Sequence, residues 1–85
     1  MNMYNNSREA LSVIWVNSLD NSTETRVEDH DKFFDCGGES MAAIRMYLEI
    51  EERLGAKMAP EEFLGVLAEG DFGDLVRLVD AATQR

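Results

Sequence analysis

Eighty-five residues make one small domain, with room for a modest helical core but not for a buried catalytic cleft on its own scaffold. Seventeen acids against eight bases give a net charge of −9, which argues against nucleic acid or an anionic membrane as partner and makes basic partners the natural complement. A hydrophobic content of 45% predicts a folded chain; one cysteine excludes an internal disulfide, and one His beside one Cys is too few for a zinc site. The acidic surplus runs through all three thirds of the chain rather than collecting in a disordered tail. Met1 to Arg8 has no charged segment leading into an apolar one, so no secretory signal is expected, and no apolar run approaches the roughly 20 residues that span a bilayer. The expected compartment is the cytoplasm.

The first predicted helix covers 7–19. Ala10, Leu11, Ile14, Trp15 and Leu19 recur at helical spacing, and Ser7 is a candidate N-cap. Asp20, Asn21, Ser22 and Thr23 then break the pattern, because their side chains compete for backbone hydrogen bonds. From Asp20 to Glu39 no periodicity is sustained. A loop of that length in a compact domain is functional or disordered, and Val27, Phe33 and Phe34 favour an ordered loop pinned to the core.

The second helix is predicted over 40–54, stopped by Gly55 in a left-handed conformation. Pro60 followed by Glu61 and Glu62 starts a third, 60–69, with acids at the positive end of its dipole. Asp71 caps a fourth, 71–84, whose buried stripe is Phe72, Leu75, Val76, Val79 and Ala82. No strand, repeat or low-complexity segment is found. The expected fold is all-α: a small four-helix bundle, one domain over 1–85, with a long loop between helices 1 and 2.

The second helix carries two apolar stripes. At about 100° per residue, Ala43, Met46, Tyr47, Ile50 and Leu54 gather on one side, while Met41, Ile44 and Leu48 gather on another, among Arg45, Glu51 and Glu52. The second stripe is either covered by the long loop or exposed for a partner. Its position directly after Ser40 favours a docking surface.

Asp31, Lys32, Phe33, Phe34, Asp35, Cys36, Gly37, Gly38, Glu39 and Ser40 lead into that helix. A serine at a helix start is most often an N-cap. The same geometry also suits modification, since Gly37 and Gly38 remove side chains beside the hydroxyl and the helix N-terminus favours a phosphate. Catalytic readings fit worse. The residues Gly38, Glu39, Ser40, Met41 and Ala42 do not form G-x-S-x-G, and His30 lies ten residues away. Asp29, Asp31 and Asp35 do not make a calcium loop, because Phe33 and Phe34 fall where a ligand and a glycine are needed. Cys36 has no basic sequence neighbour to lower its pKa and is expected to be a small buried residue.

The segment Asp31 to Ser40 resembles the D-x-F-F-x-x-G-G-x-S signature of acyl and peptidyl carrier proteins, and the spacing of Ala43, Arg45, Met46, Ile50, Leu54 and Gly55 is similar to theirs. The resemblance implies the carrier-type four-helix bundle, with 4′-phosphopantetheine attached to Ser40 from coenzyme A by a phosphopantetheinyl transferase. It implies a carrier, not an enzyme, holding an aminoacyl, peptidyl or acyl thioester. The implied partners are an adenylation or acyl-loading enzyme and a condensation, tailoring or thioesterase enzyme. The Phe33–Phe34 and Gly37–Gly38 pairs favour the peptidyl branch, as in nonribosomal peptide and antibiotic biosynthesis, over fatty-acid carriers. A free-standing monomer used in trans is expected, with Glu39, Met41, Ile44 and Leu48 as the partner-binding residues. Cys36 stands where the family usually has Leu, Glu39 where His or Asp is common, and Met41 where Leu is usual. The customary Pro-Thr opening of the last helix is missing, and Gly65 to Asp71 looks longer than normal. Two alternatives stay open: a non-enzymatic helical adaptor binding through Met41, Ile44 and Leu48, and an acyl carrier of a polyketide pathway.

Overall fold

The computed structural model describes residues 7–19, 27–35 and 39–83. Four helices follow in order: α1 Ser7–Ser18, α2 Ser40–Leu54, α3 Pro60–Glu69 and α4 Phe72–Thr83. No strand occurs among the described residues, so the chain is an all-α four-helix bundle. Helix α1 packs against α2 and α4, and α3 packs against the same two. Ser7 lies within α1 rather than before it, so the capping position falls outside the described residues. The helix ends one residue short of expectation, where the Leu19 N–H donates to the Val16 carbonyl at 3.2 Å. The break expected at Asp20 to Thr23 also lies outside the described residues.

The core draws one stripe from every helix. Leu11, Ile14 and Trp15 of α1 meet Ala43, Met46 and Ile50 of α2, Phe63 and Leu67 of α3, and Phe72, Leu75 and Val79 of α4. Tyr47, Leu54 and Ala82 pack against this core half-buried. Aromatic rings order its centre: Trp15 meets Phe33 and Phe72 edge-on, both at 5.2 Å between centroids, the geometry that ring quadrupoles favour. Tyr47 lies 5.3 Å from Phe63, and its hydroxyl donates to the Met58 carbonyl at 2.7 Å, tying the α2–α3 connection to α2.

Helix ends follow their punctuation. Gly55 sits at φ 68°, where a side chain would be strained, and its N–H donates to the Glu51 carbonyl at 3.0 Å. Pro60 opens α3, where its missing N–H costs nothing. Gly65 belongs to α3 itself, which absorbs most of the apparent extra length before Asp71. Asp71 and Asp74 form a reciprocal box: the Asp74 N–H donates to Asp71 Oδ1 at 2.9 Å, and the Asp71 N–H to Asp74 Oδ2 at 3.1 Å. Gly70 leaves space for that box, since a Cβ there would lie 2.6 Å from Asp74 Oδ2. With Asp71 as the cap, α4 begins at Phe72, one residue later than expected.

The loop before α2 is ordered where it is described. Its carbonyls complete the N-terminus of α4: the Phe72 N–H donates to the Asp31 carbonyl at 2.8 Å and the Gly73 N–H to the Asp29 carbonyl at 2.9 Å. The Glu28 N–H donates to Asp31 Oδ2 at 3.0 Å, closing a turn. Arg8 pairs with Asp29, and its guanidinium lies 5.7 Å from the Phe72 ring centroid. Phe33 and Val27 reach the core from this loop, as expected.

Candidate functional site

Ser40 is the first residue of α2 and is exposed. The cap position belongs to Glu39, in extended backbone at φ −125° and ψ 165°, and the Glu39 side chain makes no capping hydrogen bond. A capping role for Ser40 is therefore not what the structure shows. The first intrahelical bond runs from the Ala43 N–H to the Glu39 carbonyl at 2.9 Å. Among the described residues, nothing accepts from the N–H groups of Ser40, Met41 and Ala42, or bonds the Ser40 hydroxyl. These amides and the helix dipole make a positive, uncapped end beside a free hydroxyl. Ala42 and Ala43 are buried immediately behind it and hold the end against the core.

The second apolar stripe is open. Met41 is 63% exposed, Leu48 54% and Ile44 48%. At about 100° per residue the stripe lies about 160° around α2 from Ala43, Met46 and Ile50, so the bundle that buries one face cannot reach the other. Glu39, Glu51 and Glu52 are exposed on the same helix and its cap. Phe34 is 42% exposed, its ring edge-on to Phe33 at 5.6 Å. Leu64 on α3 is exposed too; its only signal in the sequence is its position about 100° around the helix from buried Phe63.

The His30 imidazole is largely exposed and 3.8 Å from Asp31 Oδ1. Ser18 is buried and its hydroxyl donates to the Ile14 carbonyl at 2.8 Å. Cys36, Gly37 and Gly38, with their expected roles as a buried residue and an open approach, lie outside the described residues.

The profile of the family described as a phosphopantetheine attachment site matches residues 9–79. The chain belongs to this carrier family. No curated protein and no solved structure matches it. The prosthetic group of the family is 4′-phosphopantetheine, covalently attached. The residues present fit such a group: the phosphodiester forms on an accessible hydroxyl and is favoured by open donors, and α2 offers Ser40 and three amides without a partner among the described residues. Carriers of this family work with modifying and biosynthetic enzymes, so an accessible attachment end is a requirement of the role.

Proposed function

We propose that Ser40 bears the phosphopantetheine and that this chain, without catalysing a reaction itself, presents an aminoacyl, peptidyl or acyl thioester to partner enzymes. One observation carries the reading: within the matched family region, Ser40 is exposed at the start of α2, whose N-cap Glu39 makes no side-chain capping bond. The arm supplies a thiol on which the cargo rides as a thioester. The chain's own part is to offer the Ser40 oxygen as nucleophile, give up its proton to a base on the transferase, and hold the phosphate charge near the α2 amides. Ser18 lacks these conditions, being buried and already bonded.

The peptidyl branch is favoured by Phe33 and Phe34 together with Gly37 and Gly38. Partners are proposed to read Glu39, Met41, Ile44 and Leu48. An arm on Ser40 can deliver cargo only when the partner's entrance lies over this end of α2, and the open stripe begins there. A basic-rimmed apolar pocket complements it, with apolar contacts supplying affinity and charge steering encounter. The test is the intact mass of the chain after incubation with coenzyme A, magnesium and a broad-specificity phosphopantetheinyl transferase. Gain of one phosphopantetheine supports the carrier; an unchanged mass favours the helical adaptor.

A further inference from the structure

Of the methionines in the described residues, Met46 and Met58 are buried in the core, and Met41 alone is open, at 63% exposure. It is also the residue next to Ser40, on the second position of α2. A thioether at this place differs from a branched hydrocarbon in one chemical respect: it can be oxidised. Conversion to the sulfoxide turns a flexible apolar side chain into a polar one, and reductases reverse the change.

We infer that Met41 is a reversible oxidation site that switches off partner recognition at the attachment end of α2. The inference rests on the proposed docking role of this stripe. A sulfur lone pair of Met41 attacks one oxygen of a hydroperoxide such as hydrogen peroxide, and the O–O bond breaks. The sulfur keeps one oxygen as sulfoxide, the other leaves as water, and the two electrons lost by sulfur reduce the peroxide. A methionine sulfoxide reductase returns the thioether and water at the expense of two thiols, which become a disulfide. Exposure favours Met41 over the other methionines of the described residues, because the fold shields Met46 and Met58 from the oxidant. It also makes the reaction harmless to the core: Met41 points away from the buried face of α2, so the sulfoxide oxygen meets water in the free chain. A partner that docks there must instead bury that oxygen in an apolar pocket, where it finds no donor.

The test treats the full chain with hydrogen peroxide, maps each methionine by peptide mass, and measures transfer of phosphopantetheine from coenzyme A by the transferase. Met41 should gain one oxygen before Met46 and Met58, with the thermal melt unchanged. The kcat/KM for loading should fall by about tenfold, the scale of losing one anchoring apolar side chain at an interface. Methionine sulfoxide reductase should restore it. Met41→Leu is compared with itself before and after peroxide, and that ratio should stay near one whatever its starting rate. Full loading of the Met41 sulfoxide, prior oxidation of Met46 or Met58, a lowered melt, or an equal peroxide loss in Met41→Leu would overturn the inference. An untreated chain that never accepts the group would instead remove the carrier reading beneath it.

Discussion

Phe33 and Phe34 adjoin in sequence yet occupy opposite environments: Phe33 is fully buried against Trp15, while Phe34 leans on it from the surface. Truncating Phe33 to Ala should therefore cost about 3–5 kcal/mol, a large share of the roughly 5–15 kcal/mol that holds a small domain together. Phe34→Ala keeps the core ring and should melt close to the parent. A denaturant titration of both variants checks this; equal losses would mean that the loop is not anchored through one ring. At this scale the sequence was partly legible. Two adjacent aromatics in a loop announce an anchor, but which one turns inward depends on where Trp15 and Phe72 stand, and they are far apart along the chain. The same limit applies at Ser40. Its place at a helix start could be read, but the shift of the cap to Glu39 could not, because a serine is the better capping residue.

Helix α2 shows how one element serves two surfaces. Its buried stripe follows the ordinary period and was readable, as were its stop at Gly55, the Pro60 start of α3 and the Asp71 cap of α4, each marked by a residue with one dominant conformational use. The openness of Met41, Ile44 and Leu48 was undecided in sequence, since periodicity reports a stripe without saying what covers it. Ile44→Asp is the sharper probe of that stripe, lying midway in sequence between Ser40 and Leu48. The variant should keep its helical circular dichroism and melting temperature yet lose most of its rate of loading or transfer. Unfolding would assign the stripe to the core, and normal loading would remove it from the docking surface. The ties between the loop and α4 left no trace in sequence: Asp31 and Asp29 accept through backbone carbonyls, which every residue possesses.

Across the whole molecule the net charge of −9 works against compactness at neutral pH, while two carboxylates work for it. The Arg8 hydrogen bond holds Asp29 below its usual 3.8, and the Asp71 N–H, aided by Arg77, does the same for Asp74. A carboxyl group with a lowered pKa in the fold stabilises it above the ordinary value, and that contribution is lost as pH falls through the lowered one. Melting temperature should therefore hold or rise slightly from neutral pH toward the isoelectric point near 4.4, then decline below about 3.8. In Asp74→Asn the decline should be shallower, as followed by melts across that range; an identical acid limb would show that Asp74 contributes nothing to it.

The net charge leaves an acidic surface, on which the start of α2 and the open apolar stripe lie at the same place, beside the Ser40 hydroxyl. The most direct measurement of that hydroxyl's role is fragmentation mass spectrometry of the chain after loading from coenzyme A, run beside Ser40→Ala. The expected result is a single phosphopantetheine located on Ser40, and an unmodified Ser40→Ala chain that folds with a loss of about 1 kcal/mol at most. The group on any other residue, or still acquired by a folded Ser40→Ala chain, would contradict it.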